Sequence, residues 1–335
     1  MTMTPRSQDP TLPLSGQITA RTTLNDPRGN SGNKIERVEL SDGRTLILKT
    51  VSRDWDWIAR ATNDDGRIVK LWDHGAFDRM PPSIDHTIVG VERENGSWRI
   101  FMRDAADALL RDEIRHDGPT ARRILQAAAD VHNVFWEADL PSLCSIEDRY
   151  RMLSPATARR EKESGDARVA DLIERSWAAF YENTPAKLGE IIRLLAEDST
   201  PIANELRKCK QTLIHGDLRL GNAGFDGDRT ILIDWGERVG MAPPAVELAW
   251  FIGFDAKRLD ITRDEIVDTF RELYGDRFEE RALQLALIGG LVHLGAHIGL
   301  GFVSADDDAK LAAAKEDCAW WTENVTRALE VWSPG

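Results

Sequence analysis

The run Thr212 to Trp235, TLIHGDLRLGNAGFDGDRTILIDW, restricts what this chain can fold into more than any other stretch. Thr212-Leu213-Ile214 reads as a short strand that delivers His215-Gly216-Asp217 onto a loop, and Asn222 follows five positions after Asp217. A half-apolar segment then meets an Asp226-Gly227 turn and a second β-prone run, Thr230-Ile231-Leu232-Ile233, which ends in Asp234-Trp235. Asp-Gly between two apolar runs signals a hairpin, because both turn residues tolerate positive φ. Closing that hairpin brings Asp234 back beside Asn222, so that Asp217, Asn222 and Asp234 converge. A loop carboxylate beside an amide oxygen and a second carboxylate suits chemistry on a phosphate chain. The loop Asp accepts a hydroxyl proton, while Asn and Asp offer hard oxygen ligands to Mg²⁺. A metal-dependent phosphohydrolase would use the same carboxylates.

These residues resemble the catalytic core of the aminoglycoside phosphotransferase/choline kinase-like family, relatives of the protein kinases. The family loop reads H-G-D-x-x-x-x-N and its next strand ends in I-D-[WF]; His215 to Asn222 and Ile233 to Trp235 match in order, spacing and context. The resemblance implies an α+β, bilobal protein-kinase-like fold, with a small antiparallel β-sheet N-lobe and a larger, mostly helical C-lobe. It implies Asp217 as the catalytic carboxylate, Asn222 and Asp234 as Mg²⁺ ligands, and ATP or GTP as phosphoryl donor. Arg219 stands two residues after Asp217, where protein kinases place a lysine that neutralises the transferring phosphate; a surface arginine is the competing reading. His215 reads as a brace for the loop, and Gly216 as its tight turn. Downstream, Gly240 to Trp250 resembles the family's G-x-P-x-x-D-L-A segment with Glu247 in place of Asp, which implies a carboxylate bracing the loop backbone.

Upstream the chain is strand-rich. Gln17 to Leu24, Lys34 to Leu40, Thr45 to Val51, Thr87 to Glu92 and Trp98 to Met102 are β-prone, with turns at Asp42-Gly43 and Asn95-Gly96. Between the first two strands, Asn25 to Asn33 carries Gly29, Asn30, Ser31 and Gly32, whose backbone N–H groups can approach a phosphate closely. The spacing is not that of a Walker loop, since Ile35 stands where Ser or Thr belongs. Lys49, late in an apolar strand, matches the family lysine that holds the α/β-phosphates; taken alone it reads as a snorkelling edge lysine. That lysine ordinarily pairs with an acid on the next helix, yet segment 55–76 contains no Glu, and Ile68 follows Gly66-Arg67 where relatives read G-R-E. Asp64 or Asp65 is left for the role, and Asp65 is the expected partner. By resemblance, Phe101 to Ala105, with Met102 and Asp104, is the hinge whose backbone meets the adenine.

The expected organisation is a tail over 1–13, an N-lobe of sheet plus helix over 14–104, and a C-lobe over 105–335. Helices are expected over Thr120 to Trp136, Asp148 to Asp166, Ala170 to Glu182, Pro185 to Glu197, Arg263 to Tyr274, Glu279 to Phe302 and Asp306 to Trp332. His132 lies near the apolar face of the first of these and reads as a packed histidine. His293 and His297 share a helix face at i, i+4, but no third metal ligand accompanies them. The net charge of −13 among 335 residues argues against nucleic-acid binding, which needs a basic face. Acidic residues such as Asp255, Asp260 and Asp306 to Asp308 would suit a cationic acceptor, or are solvated loop charges. Cys144, Cys209 and Cys318 have no metal-ligand spacing and read as reduced core thiols. The start carries no apolar signal core and no stretch reads as a membrane span, so a cytoplasmic location is expected. The resulting expectation is a small-molecule kinase whose acceptor is an aminoglycoside, sugar, amino sugar or amino alcohol. A regulatory, non-catalytic nucleotide-binding pseudokinase is the alternative.

Overall fold

Alternating apolar positions in two adjacent segments build the centre of the N-terminal sheet. A computed structural model describes residues 14–24, 32–111, 113–165 and 167–332. Chain order there is β1 (Ile18–Thr23), β2 (Lys34–Leu40), β3 (Thr45–Ser52), α1 (Trp57–Ala61), α2 (Arg67–Asp73), β4 (Ile84–Asp85), β5 (Ile88–Glu94) and β6 (Ser97–Met102). The sheet is antiparallel with order β1-β2-β3-β6-β5, and Lys49 of β3 lies between Ile35 of β2 and Ile100 of β6. Side chains alternate across it. Val38, Leu40, Leu46, Leu48 and Phe101 make a small core on one face. Val51, Trp98 and Ile100 join the main core with α1 and α2 on the other. Lys49 shares that second face with Val51, which turns its ammonium inward rather than along the edge.

Beyond β6 the chain is mostly helical: α3 (Gly118–Val134), α4 (Ile146–Arg151), α5 (Pro155–Glu163), α6 (Ala167–Glu182), α7 (Ala186–Glu197) and α8 (Thr200–Leu206). Short strands β7 (Thr212–Ile214), β8 (Ala223–Asp226), β9 (Arg229–Leu232) and β10 (Gly240–Ala242) follow, then α9 (Pro244–Asp255), α10 (Arg263–Tyr274), α11 (Glu280–Val303) and α12 (Asp308–Val331). The two-lobed α+β arrangement expected from the resemblance is present. The helix expected over 148–166 is instead two helices. Pro155 has no N–H to continue the first and would clash with the preceding turn, while Ser154 caps the second by accepting from Thr157 N. Helix α8 was not expected; Ser199-Thr200-Pro201 starts it, with Pro in the first turn.

Helix α11 is apolar around its whole circumference, and it is accordingly buried, packed against α6, α9 and α12. Among the described residues it is the one helix long and apolar enough to cross a membrane, and most of it lies in the protein interior. Strands β8 and β9 close the Asp226-Gly227 hairpin with Ala223 opposite Leu232, and β7 pairs with β10. These short strands flank the loop that runs from His215 to Asn222.

Candidate active site

Strand β7 ends at Ile214, and the loop after it is held by buried charge. Gly216 has φ +84, and a Cβ there would overlap the carbonyl of Arg238 and the guanidinium of Arg149, so only glycine fits. Glu247, at the start of α9, accepts from Gly216 N at 2.6 Å and His215 N at 3.2 Å. His132 Nε2 donates to the same carboxylate at 2.9 Å, while its Nδ1 meets the Tyr274 hydroxyl in a short hydrogen bond. Burial pushes the Glu247 carboxyl up, but His132 and these N–H groups outweigh it and hold the group below its ordinary value. The longer arm of Glu therefore reaches the backbone that the resemblance assigns to Asp. Arg149 of α4, almost wholly buried, donates to Gly216 O at 2.9 Å and to the Arg238 carbonyl.

The His215 ring packs at a tilt against Trp235, and its Nε2 lies 2.8 Å from Ile233 O while its Nδ1 accepts from Asp217 N at 3.2 Å. Those partners assign the proton to Nε2, and burial keeps the ring below its usual pKa, so His215 braces the loop as a neutral imidazole. Asp217 is buried. Its Oδ1 accepts from Trp250 Nε1 at 3.0 Å, its Oδ2 accepts from Asn222 Nδ2 at 2.9 Å, and Arg238 lies 2.9 Å from Oδ2. Arg219 lies 3.6 Å from the same oxygen.

The hairpin brings Asn222 and Asp234 together as expected: Ile233 N donates to Asn222 O at 2.9 Å, and Asp234 follows in the left-handed region at φ 67. Asn222 spends its amide nitrogen on the Asp217 carbonyl and carboxylate, both at 2.9 Å, which turns its oxygen away from Asp217. An amide oxygen beside a carboxylate is a hard donor pair of the kind Mg²⁺ takes when phosphate oxygens and water complete the shell. Among the described residues no three His, Cys, Asp or Glu side chains form a metal site by themselves. His293 and His297 thus gain no third ligand.

Lys49 reaches Asp234 Oδ1 at 2.6 Å and Glu237 Oε1 at 3.3 Å. Burial disfavours its charge, but Asp234 and Glu237 outweigh burial and hold the ammonium well above the ordinary lysine value. Asp234 is the converse: burial pushes it up, while Lys49 and Arg238 dominate and hold it well below the usual carboxylate range. The expected Lys49–Asp65 pair is not formed. Asp65 is exposed and bonds Lys70 at 2.8 Å, because it points out from the turn before α2. Asp64 is buried but accepts from Gly66 N and Arg67 N, starting that helix. The acids beside Lys49, Asp234 and Glu237, come from the loop after β9 instead. Asp56, which caps α1 through Oδ1, adds a third nearby carboxyl. Burial and the Glu237 charge push it up to about 7.

Gly29, Asn30 and Ser31 lie outside the described residues. Gly32 packs against the Trp55 carbonyl, and Asn33 Nδ2 donates to Glu237 Oε1 at 3.3 Å, so the end of this loop is anchored beside Lys49. Met102 ends β6, and Asp104 pairs with Arg37 at 2.8 Å and accepts from Ala106 N. Three of the acids considered for a cationic acceptor have other partners. Asp255 is buried and accepts from Leu220 N at 2.7 Å, Asp306 pairs with Lys310, and Asp307 caps α12. Sequence reasoning missed Arg149, Glu237, Arg238 and Trp250, which carry no motif of their own. The signal available for Glu237 and Arg238 was charge within five residues of Asp234 in an otherwise apolar stretch.

The phosphotransferase enzyme family model matches residues 27–285. The chain belongs to this family. It is a phosphotransferase acting on a hydroxyl acceptor. No curated protein matches this phosphotransferase by sequence. Among solved structures it resembles a microcompartment-associated aminopropanol kinase at TM-score 0.51 and 14% identity, covering 95% of this chain and 96% of that one. It also resembles a choline/ethanolamine kinase family protein from Mesorhizobium loti at TM-score 0.50 and 15% identity, covering 95% of each chain. Choline kinase LicA from Streptococcus pneumoniae aligns at TM-score 0.50 and 14% identity, over 94% of this chain and 95% of that one. At these identities the likeness concerns the fold.

Proposed function

We propose that this chain transfers the γ-phosphoryl group of ATP, or of GTP, to a hydroxyl of a small-molecule acceptor. The observation that carries this reading is the convergence of Asp217, Asn222, Asp234 and Lys49, with Lys49 bonded directly to Asp234. Asp217 orients the acceptor hydroxyl and takes its proton as oxygen attacks the γ-phosphorus. Arg238 and Arg219 balance charge at that carboxylate, and Arg219 extends toward the transferring group. Lys49 holds the α/β-phosphates, the loop ending at Gly32 covers them, and the backbone of Met102 to Asp104 takes the adenine. Asn222 and Asp234 are the residues that would hold Mg²⁺, which neutralises phosphate charge when bound. The acceptor classes open to this fold are an aminoglycoside, a sugar, an amino sugar or an amino alcohol. An intracellular setting supplies the nucleotide.

A pseudokinase reading rested on the absent helix acid, and Glu237 supplies an acid at Lys49 from another element. A phosphohydrolase accounts for the carboxylates but leaves Lys49 and the glycine-rich loop without work. The test is coupled ADP or GDP release across an acceptor panel, with Asp217→Ala as the blank. Acceptor-dependent release by the native chain alone supports transfer. Acceptor-independent phosphate release as the main reaction would replace it with hydrolysis, and nucleotide binding without turnover would replace it with a regulatory module.

A further inference from the structure

Arg238 is built into the site more firmly than the motifs require. The backbone around it is pinned: Arg149 donates to its carbonyl, Val239 N donates to Gly236 O at 3.1 Å, and Cys144 N donates to Val239 O at 2.9 Å. Its side chain is only 14% exposed, with Asp217 Oδ2 at 2.9 Å and the Trp250 ring centroid at 5.5 Å. Trp250 also donates Nε1 to Asp217 Oδ1, so one indole holds both members of the ion pair. Arg219, by comparison, is 33% exposed and stands 3.6 Å from the same carboxylate oxygen. Arg238 acts on Asp234 as well, and more strongly than Arg219 does. Asp217 Oδ2 accepts from Asn222 Nδ2 and faces Arg238, which occupies both of its lone-pair directions. Asn222 Nδ2 is fixed in place by a second bond, to the Asp217 carbonyl at 2.9 Å. Of the two partners of Oδ2, Arg238 is therefore the one whose side chain can turn away.

On the basis of the kinase reading above, we infer that Arg238 is a catalytic residue that changes partners during the reaction. With nucleotide bound, its guanidinium leaves Asp217 Oδ2 for the oxygens of the γ-phosphoryl group. A phosphate chain carries more charge than one carboxylate, and its oxygens suit the planar guanidinium fork, which favours the exchange. The pinned backbone confines the movement to the side chain. That movement clears Oδ2 for the acceptor hydroxyl and sets a cation where charge collects on the transferring group. The acceptor oxygen then bonds to the γ-phosphorus as the bond to the β,γ-bridging oxygen breaks. The electron pair of the broken bond stays on the nucleoside diphosphate, and the hydroxyl proton passes to Asp217 Oδ2. A largely buried charge beside the reacting atoms is worth more than a solvated one, so Arg238 rather than Arg219 carries most of the effect.

The test is binding of Mg²⁺-ADP, alone and with aluminium fluoride as a mimic of the transferring group, beside transfer rates on an acceptor found with the panel above. In the native chain aluminium fluoride is expected to tighten ADP binding by about 100-fold. Arg238→Gln is expected to lose that tightening while the Kd for ADP alone stays within about twofold. Its kcat is expected to fall by about 100-fold to 1,000-fold with nucleotide KM little changed, and added guanidinium ion to recover part of the rate in Arg238→Ala. Arg219→Gln is expected to lose no more than about tenfold in kcat and to keep most of the tightening. A residue that only held the loop would instead lower Tm and weaken ADP and its fluoride complex alike. Arg238→Lys keeps the charge and is expected to fall between the native chain and Arg238→Gln, which guards against a fold defect in one variant. Tightening that is absent from the native chain or unchanged in Arg238→Gln, or transfer by Arg238→Gln within about threefold of native, overturns the inference and leaves the kinase reading standing. No transfer to any acceptor, with ADP binding intact, overturns both.

Discussion

The two sides of Asp217 are built differently. On the nucleotide side the reacting groups are bonded to one another: Lys49 to Asp234 and Glu237, and Asn222 to Asp217. On the opposite side, His293 and Tyr150 are buried and His297 is half-buried, each with a polar atom left over. On the proposed reading, a pre-bonded charge network is preorganised for a polyphosphate, whatever the acceptor. The other side is built of packed aromatic rings and neutral polar atoms instead. The difference separates the chemistry, which the motifs carry, from the specificity, which they do not.

The loop that divides the two sides rests on Arg149, so removing it strikes both at once. Arg149→Leu strands two buried carbonyls, those of Gly216 and Arg238, at about 1–3 kcal/mol each. A large fall in Tm with loss of turnover is expected in thermal unfolding; an unchanged Tm would mean the loop stands without it.

A narrower break separates the nucleotide side. Glu237→Gln removes one of the two acids paired with Lys49, and nucleotide KM is expected to rise about tenfold with acceptor KM unchanged. Asp65→Asn is the matched control, since Asp65 faces solvent and Lys70; an equal effect in the control would return the role to the helix.

Much of this division was legible in the sequence. His215 to Asn222 and Ile233-Asp234-Trp235 declared themselves because a hairpin signal and a loop motif are local, and so did the five strands of the N-terminal sheet. Glu247 was legible from its place two residues before Ala249. The partner of Lys49 was not, because an acid 188 positions away on another lobe has no local signature. Arg149 was hidden for the same reason: an arginine in a helix with acids nearby looks like a surface residue until its carbonyl partners are known. The split of the helix at Pro155 was visible in Ser154-Pro155 and was overridden by the apolar periodicity around it.

A smaller effect sharpens the nucleotide side further through Asp56. In the unfolded chain an Asp titrates near 4, whereas burial and Glu237 raise Asp56 to about 7 in the fold. The folded state therefore binds that proton more tightly, and the stability it contributes is complete below about pH 4 and lost as pH rises through about 7. Asp56→Asn keeps a capping oxygen for α1 and removes the titration. The fall in Tm between pH 5.5 and pH 8 is expected to shrink in the variant by an amount worth about 2 kcal/mol. Parallel profiles would show that the Asp56 proton is not linked to folding.

The central claim is that the acceptor hydroxyl reacts at Asp217, where the two sides meet. Its most direct measurement is the rate of phosphoryl transfer by Asp217→Ala beside nucleotide affinity in the same preparation. Transfer is expected to fall by about 100-fold to 10,000-fold while nucleotide Kd stays within about twofold. Turnover like that of the native chain in Asp217→Ala would contradict the claim outright.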